Sequence, residues 1–166
     1  MAGWSAFIEI ASPTDAKDNP GRVMAKWDQA TFIKFAKGQC PAHVVNVLED
    51  LLKFTSATAD TLAWGRGDET GMMTFKAKSD EGLLPLFNLT TDGQIKFYIN
   101  HLREKGVAKE IIRDYQLKIE STFLLDLSED FYPHDVGHQV DDLFHTQNQI
   151  DKFKHAIKGA TARLHQ

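Results

Sequence analysis

Apolar residues recur along this chain with two different periods. From residue 40, "CPAHVVNVLEDLLKFT" sets Val44, Val47, Leu48, Leu51 and Leu52 at helical spacing, with Pro41 suited to a first helical turn. Just before it, "WDQATFIKFAKG" brings Trp27, Phe32 and Phe35 near one face and predicts a helix that Gly38 ends. The period then falls to two. Leu62 and Trp64 alternate with small residues, Met73, Phe75 and Ala77 share one face, "LLPLFNLT" is a denser apolar run, and Ile95, Phe97 and Ile99 alternate with Lys96 and Tyr98. Period two broken by turn signals predicts hairpins. Asp92-Gly93 fits a two-residue turn, with Gly93 at positive φ. The segment 62–99 therefore reads as a four-stranded meander, with Trp64 buried in the helix–sheet interface.

The helical period returns in "GVAKEIIRDYQLKIE" through Val107, Ile111, Tyr115 and Ile119. "STFLLDLS" reads as a fifth strand, whereas "EDFYPHDVGHQVDDLFH" follows neither period. The last segment forms an amphipathic helix through Ile150, Phe153, Ile157, Ala160 and Leu164. At the other end, residues 12–22 are rich in Pro, Asp, Asn and Gly and read as a loop, preceded by a short apolar run over 6–10 with strand character. The expected fold is α+β: an arm or loop over 1–22, then one domain over 23–166. An antiparallel sheet of four to five strands is packed by helices, with a long amphipathic helix at the C-terminus.

The succession Trp64, Gly65, Gly67, Gly71, Phe75, Leu86, Phe87, Thr91, Gly93, Ile95, Phe97 and Leu102 resembles a small uncharacterised bacterial α+β domain with a Trp-Gly-x-Gly … Asp-Gly-x-Ile-x-Phe pattern. The likeness covers roughly residues 40 to 127 and the last helix. It departs from that pattern in the added stretch from Glu129 to His145. The resemblance implies the fold and a bacterial or phage setting. It implies no reaction.

Composition narrows the function classes. The 166 residues are 42% hydrophobic and 25% charged, an ordinary globular balance. One cysteine, Cys40, excludes an internal disulfide and a cysteine-rich zinc module. A net charge of -4 argues against broad nonspecific affinity for nucleic acid. No apolar stretch has bilayer-spanning length and the N-terminus lacks a signal-like n-region, so no membrane partner and a cytoplasmic location are expected.

Five groups of residues bear on chemistry. In the glycine-rich turn 64–71, Trp64 and Arg66 could stack on or grip a ligand; the plainer reading is a hairpin loop with Trp64 in the core. Arg66-Gly67-Asp68 also matches an adhesion tripeptide, a coincidence in a chain without an export signal. In the stretch 134–145, a helix from Gly137 would set His138, Asp141, Asp142 and His145 on one face, and His134, His138, Asp142 and His145 could then hold a divalent metal. A polar outer face is the plainer use. Cys40 at a helix start, three residues before His43, could carry a lowered thiol pKa. "DGQIKF" offers Gln94-x-Lys96 where a nuclease would need Glu-x-Lys. Last, Lys76 and Lys78 on one strand and Lys96, Tyr98 and Asn100 on another could meet a partner through charge and stacking.

The expectation is a non-enzymatic binding or accessory module, without a cofactor, that recognises a protein partner through Trp64, Arg66, Lys96 and Tyr98. The alternatives are a metal-dependent hydrolase or nuclease using His134–His145, and a nucleic-acid-associated domain.

Overall fold

In the computed structural model, residues 27–65 and 70–166 are described. The expected arm over 1–22, the apolar run over 6–10 and Arg66 lie outside the described residues. Helix α1 (Gln29–Gln39) starts at Asp28, whose carboxylate accepts the Thr31 N–H at 2.8 Å. Gly38 does not end it. The helix runs one residue further because Pro41 requires an extended Cys40 (φ -128°, ψ 153°). Helix α2 (Ala42–Thr58) then buries Val44, Val47, Leu48, Leu51 and Leu52, the stripe expected from their spacing.

Four strands follow as the predicted meander: β1 (Thr61–Trp64), β2 (Met72–Ser79), β3 (Gly82–Thr90) and β4 (Gln94–Phe97). The register pairs Met73 with Leu89, Phe75 with Phe87 and Ala77 with Leu84, then Phe87 with Phe97 and Leu89 with Ile95. All of these side chains are buried. A bulge at Leu86 turns both Leu86 and Phe87 into the core, which accounts for the dense apolar run there. Helices pack on this inner face. Phe54 of α2 stacks on Phe75 with centroids 6.0 Å apart, and α1 brings Phe32 within 5.9 Å of Trp64. Trp64 thus faces the helices as expected, but it is only partly buried.

Helix α3 (Ile99–Glu104) leads into α4 (Lys109–Phe123), which buries Ile112, Tyr115, Ile119 and Phe123. The final helix α6 (Gln147–Leu164) opens with a capping box between Thr146 and Gln149. It buries Ile150, Phe153, Ile157, Ala160 and Leu164, and Phe153 meets Phe87 at 4.9 Å and Phe97 at 5.9 Å. The result is an α+β domain with one five-stranded antiparallel sheet in the order β1-β2-β3-β4-β5, where β5 is Gly137–Gln139. No helix among the described residues is long and apolar enough to cross a membrane.

Three local expectations are corrected. "STFLLDLS" is not a strand. Phe123 continues the Tyr115–Ile119 stripe at four-residue spacing, so α4 reaches it, and Leu124 ends the helix in the left-handed region at φ 57°. Ser121 and Thr122 do not interrupt the helix, because their hydroxyls donate back to the Lys118 carbonyl. The fifth strand is β5 (Gly137–Gln139), paired with β4, and the short helix α5 (Val140–Leu143) follows it. Second, β4 stops at Phe97, since Asp135 accepts the Asn100 and His101 N–H groups at 2.8 and 2.9 Å and so caps α3 from a distant part of the chain. Third, the Asp-Gly turn has three residues. Gly93 alone takes positive φ (88°), and its N–H donates to the Thr90 carbonyl at 3.0 Å, as in a turn followed by a left-handed glycine.

Candidate functional site

Alternation along the strands turns Met72, Thr74, Lys76 and Lys78 of β2, Leu83, Pro85, Asn88 and Thr90 of β3, and Gln94 and Lys96 of β4 away from the helices. Among the described residues the side-chain hydrogen bonds of this outer face stay within the sheet, its turns and Tyr98, and its ring contacts add only His101 of α3. Its strand positions carry three lysines and no carboxylate. Lys76 and Lys96 stand on strands flanking β3, about 10 Å apart laterally at ordinary interstrand spacing.

Tyr98 is fixed over this face. Its N–H donates to the Leu86 carbonyl at 3.0 Å, and its hydroxyl accepts the Asn88 amide at 2.9 Å. The same amide reaches the Met72 sulfur at 3.1 Å, so Asn88 is satisfied although only 4% exposed. The Lys96 ammonium lies 5.9 Å from the Tyr98 ring centroid, and His101 meets that ring edge-on. Burial pushes the Tyr98 hydroxyl above its usual pKa; the Asn88 hydrogen bond works against that rise and the Asp135 carboxylate adds to it. Tyr98 is therefore a neutral, oriented ring and hydrogen-bonding group at neutral pH.

Lys96 and Tyr98 thus lie side by side, with Lys76 and Lys78 on the same face. Asn100 does not join them. It lies in α3, and its amide donates to the Tyr132 carbonyl at 2.8 Å. Trp64 belongs to the inner face, away from this surface. Asn88 was not singled out from the sequence, although its signal is present as the one polar residue inside the apolar run "LFNL".

The structure does not assemble the histidine segment into one face. Gly137–Gln139 is a strand, so the helical spacing from His138 is broken. His138 points inward, between Phe97 (5.6 Å) and Tyr132 (6.0 Å). His43 pairs with Asp141 at 2.5 Å, and His145 bonds the Asp141 carbonyl at 2.8 Å. His134 and Asp142 are exposed. Among the described residues no three His, Cys, Asp or Glu side chains are placed to hold a metal ion.

Cys40 is not an activated thiol. Its Sγ donates to the Thr91 carbonyl at 3.3 Å, and burial, with the Asp92 carboxylate adding, pushes its pKa up. Of the glycines, Gly71 has a packing role. A Cβ there would stand 2.6 Å from the Trp27 ring, and its N–H donates to the buried Thr91 hydroxyl at 3.1 Å. A scan against protein-family models gives no match, and comparisons with curated proteins and with solved structures find none either.

Proposed function

We propose that this chain is a non-enzymatic binding module that recognises an acidic segment of a protein partner through the outer face of its sheet. One observation carries the reading: a net-acidic chain gathers Lys76, Lys78 and Lys96 on one face, without a carboxylate among its strand positions, around a hydrogen-bonded Tyr98. Such a face supplies complementary charge for encounter and a fixed aromatic ring for contact. On this reading the chain is an accessory component of a bacterial or phage multi-component system in the cytoplasm; the Trp-Gly-x-Gly resemblance supports its fold and its bacterial setting.

Affinity capture from native extracts tests it with the wild type and a Lys76→Glu/Lys96→Glu variant of equal thermal stability. A protein retained by the wild type and lost from the variant, then shown to bind directly through an acidic segment, is expected. Equal retention by both overturns the use of this face. The same Lys and Tyr groups also favour a second reading, contact with single-stranded nucleic acid. That reading requires retained oligonucleotide and an affinity that falls steeply with salt.

A further inference from the structure

We propose that the corner between α3 and α4 is a binding site for a small dianionic ligand, a phosphomonoester or free phosphate. A surface cavity of about 750 Å³ lies there, lined by Arg103, Lys109 and Arg113, with Val107 and Ile112 on its apolar side and Glu129 as its one acid. Three cations against one carboxylate leave two uncompensated positive charges, the charge a phosphate dianion would neutralise.

The decisive feature is how Arg103 is held. One guanidinium nitrogen donates to the Asn100 side-chain oxygen, and another donates to Gln116 Oε1 at 2.6 Å. Each amide is itself oriented, Asn100 by donating to the Tyr132 carbonyl at 2.8 Å and Gln116 by donating to Glu120 at 3.1 Å. Arg103 is thus positioned by neutral oxygens and forms no ion pair among the described residues, which leaves its remaining N–H groups for a ligand. A guanidinium fixed before the ligand arrives loses little freedom on binding, and its fork matches phosphate oxygens. Lys109 and Arg113, one turn apart on α4, are exposed and form no ion pair among the described residues. Val107 and Ile112 are buried at 7% and 5% exposure and offer a firm apolar wall. The cavity exceeds the size of phosphate alone, so an organic group attached to the phosphate would lie against that wall.

The test is titration of the full-length protein with inorganic phosphate, phenyl phosphate and benzoate, followed by backbone amide NMR. Phosphate-bearing probes are expected to shift amides of residues 103–116, with benzoate at least tenfold weaker. Arg113→Ala and Lys109→Ala should each weaken binding roughly tenfold, as loss of one charge-assisted contact implies. Tighter binding of phenyl phosphate than of inorganic phosphate identifies an organic phosphate as the ligand class; equal binding identifies the free anion. Absence of shifts at this corner at millimolar probe overturns the proposal. So does unchanged affinity in a Lys109→Ala/Arg113→Ala variant whose spectrum is otherwise native.

Discussion

The meander and the segment that returns to it, residues 124–146, are ordered by different means. In the meander each strand pairs with its neighbour in sequence, and every second side chain is an apolar contact with the layer beneath. The return segment has one three-residue strand and one four-residue helix. Its buried side chains, Leu127, Tyr132, Val140, Leu143 and Phe144, follow no regular period, and single polar groups fix its backbone between them. Glu120 accepts the Leu127 N–H at 2.8 Å, and the Tyr132 hydroxyl donates to the Phe97 carbonyl at 3.1 Å. Asp135 caps α3, and the Gly93 carbonyl accepts the Val140 N–H at 2.8 Å. Paired strands tolerate a local polar loss, whereas a segment whose backbone is fixed by a few single hydrogen bonds loosens locally when one is removed.

Substitutions separate the two modes. The largest effect belongs to the meander. Phe87→Ala removes a fully buried ring that meets Phe75 at 5.4 Å and Phe153 at 4.9 Å, and it should cost about 3–5 kcal/mol in chemical denaturation. That loss should be global, lowering protection of all strands together in hydrogen exchange. Asp135→Ala should cost less, about 1–2 kcal/mol, the usual worth of a helix N-cap. Its exchange signature should be confined to α3 and residues 130–140. If Asp135→Ala instead unfolds the whole sheet, the contrast between the two regions fails.

The smallest effect is one of pH. His138 lies among Phe97 and Tyr132 with its Nε2 unpartnered among the described residues, and burial holds its imidazole below the usual value near 6.5. The unfolded chain therefore takes up a proton below about pH 6.5 that the folded chain accepts only at lower pH. Stability should fall as pH drops from 7 toward 5. His138→Phe should flatten that slope while leaving stability at pH 7 nearly unchanged. An identical slope in both proteins would place the titration elsewhere.

This division also explains what could be read from the residues. The α2 stripe, β1, β2 and α6 follow from period alone, because each buries one continuous face. The position of Gly93 follows from backbone sterics. By contrast, nothing local in "YPHDVGHQ" announces that Asp135 will cap a helix more than thirty residues earlier, or that Gly137–Gln139 will pair with β4. "STFLLDLS" reads as strand because a stripe ending in Phe123 is followed by two further leucines. Only the placement of α4 against α6 and the sheet decides which of these apolar residues is buried. On the outer face of the sheet, the lysines and Tyr98 were visible as the polar half of the alternation. Asn88, which fixes the Tyr98 ring, showed only as a lone polar residue among apolar neighbours, with nothing local to name its partner. The cationic corner was not legible either, since its shape depends on where α3 ends and α4 begins.

A hairpin turn is ordinarily where a chain is cut, tagged or lengthened at little cost. The turn at Thr91–Gly93 is the opposite. Thr91 is fully buried, and its backbone and side chain bond with Gly71 and Cys40. A Cβ on Gly93 would stand 3.1 Å from the Cys40 sulfur. The neighbouring turn, with exposed Asp80, Glu81 and Gly82, has no such neighbours. New termini for a circular permutant, an inserted epitope or a protease site therefore belong between Asp80 and Glu81. The Asp92-Gly93 dipeptide, whose composition looks the more permissive of the two, is closed to all three.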